Sequence, residues 1–219
     1  MVEKHLHAFE TTGIIVTDVQ GDFTTLKNGS LSVPGTDQNY LDAVNQATER
    51  FRTMGLKLFA TQDWHPADHI SFYTSHPGRQ PFDTLEINGR SQILWPPHCV
   101  QGTRNADLLL DRSLFLGVVR KGLNRLFDSY SGFQDDGGFK TGMDHLLRSH
   151  GVDTLVIYGI ATDFCIKATA LDAVQAGFRV VVAAGLCRGI SRDGIQAALD
   201  EMGAVGIQVI EGTDFSALF

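Results

Sequence analysis

The stretch 154-TLVIYGIATDFCIKATALDAVQAGFRVVVAA-184 reads as strand, helix, strand. Thr154–Tyr158 is a short apolar run rich in β-branched and aromatic residues. Arg179–Ala183 is a second. Residues 162–176 between them place Ile166, Ala170, Ala173 and Val174 on one helical face, open at Thr162 and stop before Gly177. Two apolar strands joined through a helix form a βαβ unit, whose strands must run parallel.

The same alternation continues outward in both directions. Gly13–Thr17, Leu56–Thr61, Leu116–Val119 and Gly206–Ile210 are further strand-like runs. Residues 39–54 carry Leu41, Val44, Ala47, Phe51 and Met54 on one face and end at Gly55; residues 141–150 begin at Thr141 and end before Gly151. Residues 191–202 open at Ser191, use Ile195, Ala198, Leu199 and Met202, and stop at Gly203. Continuously apolar strands are buried on both faces, so the pattern predicts a three-layer α-β-α fold with a mostly parallel six-stranded sheet. The expectation is one domain over 1–219, interrupted by an irregular insertion at about 64–115 that holds five of the six prolines.

Composition narrows the function classes. The chain is 43% hydrophobic and 20% charged, with 18 Lys and Arg against 25 Asp and Glu, for a net charge of −7. No basic run offers a nucleic-acid surface, and no apolar stretch approaches the ~18 residues of a membrane span. The beginning, MVEKHLHAFETTG, has no signal-peptide pattern. Three widely spaced cysteines do not form a disulfide framework, so a reducing cytoplasm is expected. The expected partner is a small molecule, with neither nucleic acid nor membrane involved and a homo-oligomer open.

Reactive residues gather at the ends of the strand runs. Asp18 ends the first, Asp63 and His65 end the second, Lys121 ends the third, and Cys165 lies just past the fourth. Ligands in open α/β sheets bind beyond the carboxyl ends of the strands, so these groups share one edge. Asp63 and His65, two apart at a strand end, point to the same side and suit a divalent metal, with His69 and His98 nearby to complete the shell. Cys165, three residues after a helix cap at Thr162, would feel the positive end of the helix and the Lys121 cation, both of which lower a thiol pKa. Asp18 could act as general base and acid, and the N–H groups around Ala161 and Cys165 could form an oxyanion hole. Together these describe acyl transfer through a thioester. Each residue also has a plainer reading: Cys99 and Cys187 as small buried hydrophobes, Phe23 and Trp95 as core aromatics, and His5, His7, His76, His145 and His150 as solvated side chains.

Six motifs in order carry a resemblance: DVQGDF at 18–23, QDWHP at 62–66, WPPHCVQGT at 95–103, RKG at 120–122, DSYSGF at 128–133 and GIATDFCIKATALDA at 159–173. The chain resembles the nicotinamidase/pyrazinamidase group of isochorismatase-like cysteine hydrolases over about residues 13–190. The resemblance implies hydrolysis of nicotinamide, and of pyrazinamide, to the acid and ammonia. Cys165 would be the nucleophile, Asp18 the base and acid, and Lys121 the charge-balancing partner. Asp63, His65 and His98 would bind one divalent metal, zinc first with iron or manganese as alternatives, and His69 would join in some relatives only. Phe23, Trp95 and Tyr130 would wall the ring pocket, and a cis Ile160–Ala161 peptide would aim the Ala161 N–H. Gly21 departs from the larger residue usual there, and Ala184–Arg188 carries an extra residue before its Cys-Arg pair. The alternatives are another amidase or isochorismatase-type hydrolase, a hydrolase using metal-activated water, and a non-catalytic metalloprotein.

Overall fold

The computed structural model describes residues 10–87 and 89–211; His5 and His7 lie outside them. Strands β1 (Thr12–Thr17), β2 (Lys57–Asp63), β5 (Gly117–Lys121), β6 (Thr154–Ile160), β7 (Arg179–Arg188) and β8 (Gln208–Ile210) form one sheet in the order β5-β2-β1-β6-β7-β8. Every pairing in it is parallel. All six expected runs are present, and β2, β6 and β7 continue beyond the runs read from the sequence.

Pairing register fixes which way each row of side chains faces. Tyr158 lies level with Val16 and Ala60, and helix α1 (Gln38–Thr53) covers that side. The Tyr158 hydroxyl and Thr48 Oγ1 of α1 are 2.8 Å apart, and the Phe51 ring lies 6.2 Å from the Tyr158 ring. The neighbouring row, Ile157, Ile15, Phe59 and Gly117, faces the other way. Helix α2 (Met143–Ser149) covers this second side: His150 at its end meets Phe59 edge-on, and a Cβ on Gly117 would strike Leu146 at 2.6 Å. Helices on both faces of the central strands explain why β1, with all six residues buried, has no alternating pattern.

Helix ends follow local chemistry. The Asp37 side chain accepts from Tyr40 N–H to cap α1, and Ser191 does the same for α4 (Arg192–Ala204) through Gly194 N–H. Helix α4 runs through Gly203, where the sequence suggested a stop, and the left-handed residue is Gly206. The expected helix at 162–176 is two pieces, a π-helical turn at Thr162–Ile166 followed by α3 (Lys167–Gln175). Between Ile157 and Gly159 on β6 and Val182 and Cys187 on β7 the register shifts, so the Ala183–Leu186 segment bulges out. The Ala184–Arg188 stretch singled out in the sequence overlaps this bulge.

The 64–115 insertion contains an antiparallel hairpin, β3 (Thr84–Ile87) with β4 (Arg90–Ile93), and is otherwise short turns and loops. Among the described residues no helix is long and apolar enough to cross a membrane.

Candidate active site

The sheet order sets the site. β1 lies at the centre, flanked by β2 and β6, where the chain changes its direction of winding; this is the crevice in which α/β sheets bind ligands. At the end of β1 the backbone turns at Asp18, whose φ of 49° is uncommon for a residue with a side chain. The turn sends residues 18–23 across the strand ends. Asp18 is fully buried, and its Oδ1 accepts from Thr61 Oγ1 at 2.7 Å.

β2 and β5 bring Asp63 and Lys121 into direct register. The Lys121 ammonium, 1% exposed, donates to Asp63 Oδ1, to the Ser129 carbonyl at 2.9 Å and to Cys165 Sγ at 3.5 Å. It also pairs with Asp18 Oδ2 at 3.0 Å. One buried cation therefore touches the acid, the thiol and a candidate metal ligand. Its contact with Asp63 was not foreseen from the sequence, because it arises from strand register.

The surroundings separate the two carboxylates. Burial pushes Asp18 up to about 6 against the opposing pull of Lys121, while the Asp63 charge adds to the rise. Burial also opposes ionisation of Asp63, but Lys121 and His65 hold it well below the ordinary carboxylate range. Asp18 can thus exchange a proton near neutrality whereas Asp63 stays charged.

Cys165 sits in the π-helical turn, 7% exposed. The cap is Ala161, in extended backbone, rather than Thr162, and its carbonyl accepts from both Phe164 and Ile166 N–H. The Ile160–Ala161 peptide is cis. The thiol is not drawn toward neutrality as the helix-end argument suggests. Burial pushes it well up, Lys121 opposes, and Asp18 and Asp63 push further. The Cys165 sulfur lies within 4.8 Å of an Asp18 carboxylate oxygen, so the thiol proton has a base beside it. Asp163, which the sequence reading passed over, anchors this turn: its carboxylate accepts from Ile190 and Ser191 N–H after β7.

Asp63, His65 and His98 bring one donor atom each to within 4.8 Å of one another, all buried. Donors bound ~2.1 Å from one tetrahedral ion lie about 3.4 Å apart. Asp63 Oδ2 is 3.5 Å from His65 Nε2 and 3.9 Å from His98 Nε2. His98 donates from Nδ1 to the Pro96 carbonyl at 2.8 Å, which leaves Nε2 with its lone pair. His65 Nδ1 is buried with no hydrogen-bond partner. Burial, with His65 adding, pushes His98 down to about 4, so it is in the neutral, ligating form. Two imidazoles and a charged carboxylate at these separations fit a borderline divalent cation.

His69 packs against His65 with the rings tilted and their centroids 4.3 Å apart, but it is outside this cluster. Its Nδ1 meets Ser71 Oγ at 2.7 Å and its Nε2 the Phe127 carbonyl at 3.1 Å. Both ring nitrogens are engaged away from the donor set. Of the histidines read as solvated, His145 is exposed, whereas His76 binds the Ile70 carbonyl through Nε2 and His150 packs on Phe59.

Above these groups lies an aromatic-lined pocket. Phe23, Trp95 and Tyr130 line it, with Asp63, His98, Ala161 and Cys165 on its polar side. Trp95 Nε1 donates to the Tyr130 hydroxyl at 3.0 Å, which fixes both rings. Phe164 meets Trp95 edge-on at 5.1 Å and completes the aromatic wall with Ile190. Neither was singled out beforehand. Phe164 stands next to Cys165, where an aromatic reads equally well as core, and Ile190 depends on Asp163 for its place.

Comparison with known proteins places the site in context. The isochorismatase domain family matches residues 12–214. The nicotinamidase of Acinetobacter baylyi is 43% identical over 214 residues, covering 96% of this chain and 97% of that one. A solved nicotinamidase/pyrazinamidase of Acinetobacter baumanii superposes with a TM-score of 0.85 at 38% identity, over 92% of this chain and 96% of that one. The pyrazinamidase of Pyrococcus horikoshii, solved in complex with zinc, gives 0.77 at 33% identity, over 92% of this chain and 99% of that one.

Proposed function

The chain belongs to the isochorismatase family, and on that premise we propose that it hydrolyses nicotinamide to nicotinate and ammonia through a thioester on Cys165. The observation that carries this reading is the Lys121 ammonium, held between Asp18 and the thiol of Cys165, which itself lines an aromatic pocket. Such a pocket accepts a flat ring, and its floor presents a nucleophile with its own base.

Phe23, Trp95 and Tyr130 grip the ring and orient its carboxamide toward Cys165. Asp18 takes the thiol proton, and Lys121 keeps the resulting thiolate from standing unpaired. The sulfur attacks the carboxamide carbon, and the N–H groups of Ala161 and Cys165 receive the developing oxyanion. Asp18 then gives its proton to the departing nitrogen, and ammonia leaves as the thioester forms. In the second half Asp18 takes a proton from water, hydroxide attacks the thioester carbon, and the proton returns to the Cys165 sulfur as the acid is released.

Asp63, His65 and His98 would hold one divalent ion, with zinc preferred because a zinc-bound structure is known for the Pyrococcus relative. When bound, that ion offers a Lewis-acid position for the ring nitrogen. Pyrazinamide, with the same carboxamide on a similar ring, belongs to the same substrate class. Three buried, unpaired cysteines support a reducing, cytoplasmic setting.

The test is ammonia release from nicotinamide by the purified chain, followed by the Cys165→Ala variant. The variant should lose ammonia release while retaining its metal. Near-normal turnover without Cys165 would sink the thiol mechanism in favour of metal-activated water.

A further inference from the structure

The loop after β1 has a second task besides carrying Asp18. Gln20 is fully buried, and its amide closes a two-way pair with the backbone of Asp63: Nε2 donates to the Asp63 carbonyl at 2.8 Å and Oε1 accepts from Asp63 N–H at 2.8 Å. The same Nε2 donates to the Ala106 carbonyl at 2.7 Å. Two residues on, Asp22 Oδ2 accepts from Cys99 N–H at 2.7 Å, immediately after His98. Cys99 has a φ of 46°, and its carbonyl accepts from His65 N–H at 3.0 Å. The peptide that Asp22 grips therefore lies between two of the three imidazole and carboxylate donors. Asp22 Oδ1 accepts from Asn105 Nδ2, and Gly21 presses so close to Asn105 that a Cβ there would come within 2.9 Å of its Cα. Phe23 completes the loop against the His98 ring at 5.3 Å.

A side chain that pairs with both backbone groups of one residue fixes that residue's position and its direction. Asp63 ends β2 and His98 lies in the irregular insertion, and the two segments meet through a single isolated bridge, His65 with Val100. One bridge beyond both positions does not by itself set the distance from the carboxylate to the imidazole, whereas ties from each segment to a common loop do. We propose that Gln20 and Asp22 are positioning residues of the metal centre, setting the separation of Asp63 from His98 and His65 without touching the ion. Because Asp18 is on the same loop, the spacing between proton transfer and ring binding is set by this one segment. The inference rests on the metal set described under the proposed function.

The experiment is zinc titration of the metal-stripped full chain against a chromogenic competitor, for wild type, Gln20→Met and Asp22→Asn, with thermal melts of each metal-free protein. Outer-shell partners of this kind alter metal affinity by ~10–100-fold. Both variants should bind zinc more weakly by about that factor, and excess zinc should restore most of kcat. A purely structural role predicts a lower melting temperature with unchanged zinc affinity. Zinc affinity within twofold of wild type in folded variants would overturn the inference, as would failure of both variants to fold. If wild type itself binds no zinc, the metal reading fails, and this inference fails with it.

Discussion

Replacing Lys121 with Met tests the charge arrangement most directly. Met matches the unbranched stem of lysine out to Cε and lacks the ammonium. Donor atoms of Asp18, Asp63 and Cys165 lie within 4.8 Å of one another, and all are buried. Two carboxylate charges at that separation repel by about 3.5 kcal/mol at an effective dielectric of 20. That repulsion is already part of the raised Asp18 value and is offset by Lys121, so removing the ammonium leaves it unopposed and favours a proton on Asp18 further. Asp18 already sits near 6, so in the variant it holds its proton throughout the neutral range and cannot accept one from the thiol. Breaking a buried ion pair costs ~3–5 kcal/mol. For a chain of this size that corresponds to a melting temperature lower by roughly 6–20 °C. Calorimetry on the metal-free and zinc-loaded forms should show a smaller loss with zinc, which shares the Asp63 charge. Ammonia release should fall to background in both forms. Lys121→Met melting within 2 °C of wild type, or keeping a tenth of kcat, would refute the reasoning.

Two further outcomes follow from the carboxylates. Asp18 must be ionised to take the thiol proton, and burial raises it to about 6, so kcat/KM should drop tenfold per pH unit below about 6. A profile flat down to pH 5 would exclude Asp18 as the base. Asp136 is also pushed up to about 6, by partial burial and then by Asp128, with Arg90 opposing. Its folded-state value lies above the ordinary 3.8, so its contribution is present at low pH and is lost as pH rises through 6. Asp136→Asn should therefore raise the melting temperature at pH 7.5 but not at pH 4; an equal effect at both would contradict this.

The parts legible in the sequence are those with a local signal. Apolar β-branched runs gave all six strands of the main sheet, and Ser191 and the glycines near the boundaries gave most helix ends to within a few residues. The placement of Asp18, Asp63, Lys121 and Cys165 at one edge follows once strand ends are known. The rest depends on contacts between segments far apart in the chain. Asp63 faces Lys121 through register, and Gln20 reaches residues 43 and 86 positions away. The hairpin β3–β4 has four-residue strands that are mostly exposed or half-buried, so the brief alternation of Leu85 and Ile87 is too short to stand out. His69 is a candidate because it lies near His65 in the chain, but Ser71 and Phe127 hold both its nitrogens away from the donor set.

The central place of β1 has a consequence for how this chain is made. Thr12 pairs with Thr154, so one edge of β1 has no partner until β6 has been synthesised. At ~5–20 residues per second the intervening segment takes roughly 7–30 s to emerge. During that interval the ribosome holds an apolar strand, Ile14-Ile15-Val16, with an open hydrogen-bonding edge, the feature that templates association between chains. Nascent chains stalled before residue 154 would then expose the most buried strand of the finished protein, and yield during expression would be governed by chaperone supply as well as by the stability of the completed fold.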